Sequence, residues 1–387
     1  MFNIIILGLT SLLTDIGSEM VYPLIPLFLV QQLGATPAVV GLIEGIAESL
    51  ASLLKVFSGR VSDKLQRRKP LAIAGYASSA LSKILIIAAV SWAWVLAGRI
   101  GDRFGKGIRT APRDAIIADS TDPRQKGKSF GLHRMLDTAG AVIGVALAYY
   151  LFTSYQGDYR HVFIWSLVPA FLGVLILALV REAKEKTPKS SIKDVPLNWQ
   201  SLNPRLKGFL IVVFLFALGN SSNQFLLLRS SDLGMHPAQV ILLYLVFNVS
   251  YALVSFPAGV LSDKIGRRQL LITGYLIYSA VYFGFARVHD AGHLWLLFII
   301  YGLYHGVTEG VEKALVADVA PQQHRATMLG LHATLVGIGL LPASLLAGLI
   351  WHYFGAAYTF YFGSVMGLLA ALGLAVVLKM EDTKQAG

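Results

Sequence analysis

Twelve stretches of about 20 largely apolar residues follow one another along this chain, each long enough to cross the ~30 Å hydrocarbon core of a bilayer as a helix. A share of 55% hydrophobic against 14% charged residues is typical of membrane proteins and excludes an ordinary soluble domain. We therefore expect an all-α membrane protein with twelve transmembrane segments. These segments, numbered 1 to 12, have the approximate bounds 4–30, 38–58, 70–90, 92–116, 129–152, 161–180, 207–228, 237–258, 269–287, 293–316, 327–350 and 355–378.

Segment 4 is unusual because charged side chains run through its middle. At 100° per residue they fall within about 120° of one helix face. An ionised side chain at the bilayer centre costs from about 3 to more than 10 kcal/mol, so these groups must face the bundle interior or a wet cavity. The stripe predicts a polar pathway inside the protein, and it consists of Arg99, Asp102, Arg103, Lys106, Arg109 and Arg113.

The distribution of the formal net charge of +11 predicts the orientation of the chain. With both termini in the cytoplasm, the outer loops carry only Arg160, Arg229 and Arg287 among the basic residues, and the positive excess lies on the cytoplasmic side. We expect a multi-pass protein of a bacterial-type cytoplasmic membrane, in contact with membrane lipids. Nucleic-acid binding is not expected, because no basic patch lies on a soluble domain.

The chain repeats itself after about half its length. The stretch from Gly59 to Arg68 returns 200 positions later as Gly259 to Arg268, and the tripeptide Gly-Leu-His at 131–133 returns 199 positions later. The polar stretch 181–206 is then interpreted as a cytoplasmic linker between six-helix bundles at 1–180 and 207–387. Two parallel copies of a six-helix unit are typical of one transporter architecture.

The repeated loop resembles the signature loop G-x-x-x-D-[RK]-x-G-[RK]-[RK] of the major facilitator superfamily, and the resemblance spans all twelve segments. Gln66 replaces the usual glycine in the first copy, whereas the second keeps Gly266. The resemblance implies the two-bundle fold, alternating access and a gate on the cytoplasmic side. The gate residues that it implies are Gly59, Asp63, Arg67, Arg68, Gly259, Asp263, Arg267 and Arg268.

Two shorter matches concern coupling and direction. Arg103, Lys106 and Gly107 resemble the R-x-x-Q-G motif of proton-coupled members, with Lys in place of Gln, and Pro23 and Pro26 resemble the P-x-x-P end of segment 1 in drug antiporters. These matches favour export slightly. Segment 5 lacks the G-P pair of the antiporter motif, which fits import, so the direction stays open.

In this family segments 1, 4, 7 and 10 line the central cavity, and here they are the most polar of the twelve. We predict a substrate cavity formed by Asp15, Glu19, Tyr22, Arg99, Arg103, Lys106, Arg109, Arg113, Asn220, Asn223, Gln224, His305, Glu309 and Glu312. Segment 4 is basic and segment 10 acidic, so we expect ion pairs between them in one access state. Charges elsewhere, including Glu44, Glu48, Lys83, Arg134 and Asp137, are interpreted as pairs that brace the fold.

The predicted function is secondary transport of a small anionic or zwitterionic solute by a monomer, with protons as the coupling ion. The candidate proton-coupling residues are Asp15, Glu19, Arg103, Glu309 and Glu312. A divalent-metal transporter that uses Asp15, Glu19, His305 and Glu309 as ligands is one alternative, and a lipid or lysolipid transporter is another. No enzyme, cofactor or resident metal is expected, because the chain has no cysteine and no H-E-x-x-H motif.

Overall fold

The computed structural model describes residues 2–65, 68–121, 126–181, 204–319 and 325–379, which form helices joined by short connections and contain no β-strand. We call the end of the bundle at which the first helix begins and the last helix ends the inner face, and the opposite end the outer face. The helices are α1 Phe2–Glu19, α2 Pro37–Leu65, α3 Arg68–Ile87, α4 Trp92–Asp119, α5 Lys126–Ser154, α6 Tyr159–Leu177, α7 in two parts (Pro204–Gly219 and Gln224–Asp232), α8 Pro237–Ile265, α9 Arg267–Arg287, α10 Leu294–Val319, α11 Arg325–Phe354 and α12 Ala356–Lys379.

The helices agree with the predicted membrane segments. Within the described part of the chain, eleven are long and apolar enough to cross a membrane. The twelfth, α4, has 28 residues and is about 42 Å long, but its charged stripe lowers its hydropathy. The protein is therefore an integral, multi-pass membrane protein, as the sequence predicts.

The same helix neighbours recur in the first six and the last six helices. α1 packs on α5 and α6, α2 on α4, and α3 on α4; correspondingly α7 packs on α11 and α12, α8 on α10, and α9 on α10. This repetition follows the internal repeat of the sequence. The bundle boundaries at 180 and 207 stay a prediction, and most of the proposed linker lies outside the described residues.

Helices 1 and 7 are both interrupted at equivalent positions, about 200 residues apart. α1 ends at Glu19 and continues as a short 3₁₀ turn, Tyr22–Leu24, which contains Pro23. α7 loses its helical geometry over the sequence Asn-Ser-Ser-Asn at 220–223 and restarts at Gln224. Breaks of this kind in corresponding helices expose backbone polar groups and mark binding sites in transporters.

The two halves of the bundle contact each other closely at the outer face. Gln31 donates a hydrogen bond to Ser231 at 3.0 Å, and deeper in the bundle Ser49 of α2 donates to the carbonyl oxygen of Gly337 of α11 at 2.7 Å. Towards the inner face the side chains of Arg134 and Lys313 are each 58% exposed, although both lie in membrane-crossing helices. The structure is thus closed at the outer face and open at the inner face.

Gly266 connects α8 to α9 in a conformation that only glycine adopts readily, with φ of +92° and ψ of 138°. We expect Gly266→Ala to destabilise the protein by about 1–3 kcal/mol, because a Cβ strains this backbone conformation. Thermal unfolding of the purified protein in detergent measures the effect. Gly259→Ala is the matched control, since Gly259 is helical and a Cβ there meets no atom within 4 Å, and an equal loss in both variants would contradict the expectation.

Candidate functional site

A small cavity with a strongly charged lining lies between α1, α3 and α4. Ionisable side chains from all three helices form most of its wall. The charged residues of the lining are Asp15, Glu19, Lys83, Arg99, Asp102, Arg103, Lys106 and Arg109. With Tyr22, these include half of the predicted cavity residues, and the charged stripe of α4 faces this interior space.

The sequence analysis did not place Lys83, Ser18 or Asp102 among the cavity residues. Lys83 is 3% exposed, and its ammonium group donates to the hydroxyl of Ser18 at 3.3 Å. Lys83 is the only charged residue of segment 3, which was the signal that could have identified it. Its position adds α3 to the helices that line the cavity.

Two acidic residues of α2 hold the outer arginines of α4. Arg99 makes a bidentate ion pair with Glu44, with its Nε at 2.8 Å from Oε1 and its Nη2 at 2.7 Å from Oε2. Arg103 pairs with Glu48 at 2.9 Å. Asp102 lies between the two guanidinium groups, 3.7 Å from Arg99 and 3.8 Å from Arg103. This network fixes the orientation of the α4 stripe.

The inner part of the stripe is held by different groups. Arg109 donates to the hydroxyl of Ser79 at 2.7 Å and stacks over the ring of Tyr76 at 4.4 Å. Asp15 of α1 lies in the same lining as Lys106 and Arg109.

Aromatic rings connect this cavity to the second half of the bundle. Tyr244 on α8 donates a hydrogen bond to Glu19 at 3.1 Å, and its ring packs against that of Tyr22 at 5.5 Å. From there the ring of Phe247 follows at 5.6 Å and the imidazole of His305 at 5.3 Å beyond it. One side of the central space is therefore charged and the other aromatic.

The break in α7 places its amide side chains against α10. Asn223 accepts a hydrogen bond from Tyr301 at 2.8 Å, and Asn220 donates to Tyr304 at 3.5 Å. Gln224 is fully buried, and neither polar atom of its side chain has a hydrogen-bond partner among the described residues. Of these three predicted residues, Asn220 and Asn223 are partly exposed and Gln224 is not.

Glu309 on α10 does not meet the cations of α4 in this structure. Its carboxylate pairs with Arg134 of α5 at 3.4 Å and Lys313 at 3.0 Å, and it accepts a hydrogen bond from Tyr251. Arg134 also donates to Tyr251 at 3.0 Å. The ion pair between the two halves thus uses α5, a helix whose charges the sequence analysis assigned to bracing the fold.

The two remaining charged candidates, Arg113 and Glu312, lie apart from the cavity. Arg113 pairs with the neighbouring Asp114 at 2.9 Å. Glu312 accepts a hydrogen bond from Tyr275 at 2.9 Å and lies 3.5 Å from His332 of α11. The expected ion pairs between segments 4 and 10 are absent among the described residues, because each stripe finds partners nearer to it.

The described gate residues make contacts within their own halves. Arg68 pairs with Asp119 and donates to the carbonyl oxygen of Ala115 at 3.2 Å, which ties α3 to the inner end of α4. Arg267 contacts Asp263 at 3.7 Å and donates to the carbonyl oxygen of Ala314 on α10, the residue equivalent to Ala115 in the first half. Arg268 donates to the carbonyl oxygen of Ala375 on α12. Gly59 and Gly259 lie in α2 and α8, whereas Arg67 and the side chain of Asp63 lie outside the described residues.

Metal binding finds no support in the geometry. Across the described parts of the chain, no three His, Asp or Glu side chains come together in a group that could hold a metal ion. The four residues named for that alternative, Asp15, Glu19, His305 and Glu309, are all described and do not form such a cluster.

Sequence comparison places the chain among transporters. The family model of the Major Facilitator Superfamily matches residues 7–228 and 209–387. An uncharacterised MFS-type transporter of Methanocaldococcus jannaschii is 37% identical over 96% of this chain and 93% of its own length. The multidrug resistance protein MdtH of Photorhabdus laumondii is 26% identical over 83% of this chain and 79% of its own length.

Solved structures agree on the fold. The nucleoside transporter NupG superposes with a TM-score of 0.80 at 13% identity, covering 98% of this chain and 100% of NupG. The POT family transporter PepTSo has the same TM-score at 12% identity and covers 98% of both chains. With twelve helices, a twofold internal repeat and a charged interior cavity, the protein is a transporter rather than an enzyme, and it belongs to the major facilitator superfamily.

Proposed function

We propose that this protein is a proton-coupled secondary transporter that moves a small organic anion or zwitterion across the cytoplasmic membrane by alternating access. The observation that carries the proposal is the charged cavity at mid-membrane, which is closed at the outer face and opens towards the inner face. A site that is reachable from one side only is the expected resting form of such a cycle.

The positive-inside rule supports a cytoplasmic inner face. Both described termini lie at that face, and the net charge of +11 is concentrated in its loops and tails. One chain contains both halves of the pathway, so we propose that the monomer is the working unit.

The chemistry of the lining supports an anionic or zwitterionic solute. Five cations face three carboxyl groups in the cavity wall. Arg99 and Arg103 are engaged by Glu44 and Glu48, which leaves Lys83, Lys106 and Arg109 as the cations of the lining without an ion-pair partner among the described residues. A carboxylate or phosphate on the solute would bind these cations, while the aromatic rings of α8 and α10 would accept its apolar or planar part.

Protons enter through the carboxyl groups of the same cavity. Protonation of Asp15 or Glu19 removes a negative charge beside the cations of α4, so proton binding and solute binding influence each other. Glu309 acts at the contact between halves, where Arg134 holds it in the inner-open form. Arg103 and Glu312 complete the proposed coupling set, Arg103 by its position in the lining and Glu312 by its buried pairing on α10.

We favour export, and relatives with the name multidrug resistance protein support this direction at 24–26% identity. In an exporter driven by inward proton flow, the solute and the proton compete for one site. The ammonium group of a zwitterion would compete in this way for Asp15 and Glu19. A simple anion has no ammonium group, so it would not compete with the proton for these carboxyl groups. Solute and proton would then bind together, as they do in an importer driven by inward proton flow.

A thermal-shift screen of organic anions and zwitterions tests the proposal. A ligand present at 100 times its dissociation constant stabilises a protein by about 2.7 kcal/mol, which such a screen detects readily. We expect the stabilisation by a bound solute to be lost in Arg103→Gln. Arg287→Gln is the matched control, because Arg287 is an exposed cation at the outer end of α9. Equal stabilisation of Arg103→Gln and the control by every ligand found would contradict the proposed site.

The pH dependence of binding tests the direction. For an exporter of a zwitterion, the affinity should rise as the pH increases, because deprotonation frees Asp15 and Glu19 for the ammonium group. The measurement is the ligand-induced thermal shift, or calorimetric binding, of one identified solute at two pH values. An affinity that falls with increasing pH would assign import and overturn the proposed direction.

A further inference from the structure

A hydrogen bond inside the charged cavity joins the first half of the bundle to the second. Tyr244 of α8 donates it to the carboxylate of Glu19, the last residue of α1, at 3.1 Å. Glu19 belongs to the lining of the cavity, and Tyr244 is 6% exposed. The bonds that Gln31, Ser49 and Arg134 form between the halves involve no residue of this lining. The contact between Tyr244 and Glu19 therefore links the charged wall directly to the second half.

The Glu19 carboxylate depends on Tyr244 for its orientation. Five cations line the same cavity, yet Glu19 forms no ion pair within the described part of the chain, and Tyr244 is its one hydrogen-bond partner there. By contrast, Glu44 and Glu48 of α2 are fixed by arginines of their own half. Glu19 thus differs from the carboxylates of α2, because its partner belongs to the opposite half.

Tyr244 is itself held firmly in place. The centroid of its ring lies 5.5 Å from that of Tyr22 and 5.6 Å from that of Phe247. Asn248, one turn further along α8, donates to the backbone carbonyl oxygen of Tyr244 at 2.9 Å. A buried ring with these neighbours moves with α8, so its hydroxyl group cannot follow Glu19 when α1 and α8 separate.

The position of this contact makes it sensitive to the outer face. Tyr244 lies about 10 Å from the outer end of α8, whereas the inner end of that helix is about 30 Å away. Glu19 comes just before the 3₁₀ turn Tyr22–Leu24, at which helix 1 is interrupted. Separation of the halves at the outer face therefore moves the hydroxyl group of Tyr244 away from the carboxylate.

We infer that Tyr244 is a positioning residue of the solute site, which holds the Glu19 carboxylate in the outer-closed form and releases it when the outer face opens. The inference rests on the proposed transport of a zwitterion by alternating access. It adds a residue of the second half to a site whose charged groups all belong to the first. Tyr244 is not among the cavity residues predicted from the sequence.

The contact makes the response of the protein depend on the chemical class of the solute. An ammonium group carries a full positive charge and three donors, so it attracts Glu19 more strongly than the neutral hydroxyl group of Tyr244 does. A bound zwitterion therefore draws the carboxylate away from Tyr244 and favours opening of the outer face. A simple anion binds the cations of the lining and leaves the contact in place.

Distances between spin labels at Gln32→Cys and Tyr353→Cys, at the outer ends of helix 1 and α11, test the inference on the full chain in lipid nanodiscs without any solute. Tyr244→Phe should raise the ratio of outer-open to outer-closed molecules about 10- to 150-fold, which corresponds to the loss of a hydrogen bond to a charged group. Tyr275→Phe is the matched control, because Tyr275 donates to Glu312 at 2.9 Å within the second half. It should leave the ratio unchanged.

Changes at Glu19 separate a positioning role from packing alone. Glu19→Gln keeps an oxygen that accepts from Tyr244, so its shift should be smaller than that of Glu19→Leu, which removes the acceptor. The double variant Glu19→Leu/Tyr244→Phe should shift no further than the larger of the two single shifts, because both changes remove the same interaction. Equal ratios in Tyr244→Phe and Tyr275→Phe, or single shifts that add up in the double variant, would overturn the inference. Since no solute is present, this failure is distinct from the failure of a zwitterion to bind.

Discussion

Gly348→Ala is expected to shift the protein away from the outer-closed form. A Cβ at Gly348 of α11 would lie 2.6 Å from the carbonyl oxygen of Pro37 and 2.9 Å from the Cα of Ala38, both backbone atoms of α2. Overpacking of this kind costs about 1–3 kcal/mol, and the cost applies only where α2 and α11 touch. The ratio of outer-closed to outer-open molecules should therefore fall about 5- to 150-fold. Because the chain has no cysteine, spin labels at Gln32→Cys and Tyr353→Cys can report the outer-face distance directly.

The control for this experiment lies on the same helix. A Cβ added at Gly330 meets no atom within 4 Å, so Gly330→Ala should leave the distance distribution unchanged. An outer-face distance in Gly348→Ala that equals that of the control would show that α2 and α11 do not close the outer face by this contact.

Arg99→Leu is expected to be among the most destabilising single changes in the protein. The variant leaves Glu44, which is fully buried, with Ser222 at 3.4 Å as its only remaining hydrogen-bond partner among described residues. Removing one partner of a buried ion pair typically costs about 3–5 kcal/mol. Glu44→Leu should cost less, because Arg99 retains Glu48 at 3.8 Å and Asp102 at 3.7 Å as alternative partners.

Unfolding in mixed detergent micelles measures both variants and the double variant Glu44→Leu/Arg99→Leu. The double variant should be more stable than Arg99→Leu alone, since it buries no uncompensated charge. Asp290→Asn is the control, because Asp290 and its partner His293 are each 72% exposed and such pairs contribute little. Equal stability of Arg99→Leu and the control would mean that water, rather than Arg99, solvates Glu44.

Much of the architecture follows from the sequence, because membrane insertion imposes strong rules. Helix length, the charged stripe and the 199- to 200-residue repeat suffice to predict twelve helices and an interior polar space. Even the break in helix 1 has a sequence signal in Pro23, which cannot donate a backbone hydrogen bond. The break in helix 7 carries the weaker signal Asn-Ser-Ser-Asn, and only the structure reveals that the two breaks lie at equivalent positions.

The partners of the charges could not be predicted in the same way. Periodicity identifies the face of α4 that carries Arg99 and Arg103, but it does not identify which helix that face contacts. The nearest acids come from α2, and the bridge between the halves comes from Arg134 of α5. Glu44 and Glu48 of α2 and Arg134 of α5 occur in largely apolar segments. Because an ionised side chain in lipid is costly, their presence there was the sequence signal that they have partners inside the protein.

The histidine repeat illustrates a different limit. The sequence aligns His133 with His332, but only the contacts distinguish a histidine beside Ser11 and Arg113 from one beside Glu312. The different neighbours of the two histidines follow from how the helices pack, which the alignment of the two halves does not contain.

The interruptions of α1 and α7 have a mechanical consequence. Each separates a short outer segment from a longer inner one, and helices bend most easily where their regular backbone geometry is interrupted. Arg99 and Arg103 pair with acids of α2, which belongs to the same half as α4, so bending at the two interruptions leaves these ion pairs assembled.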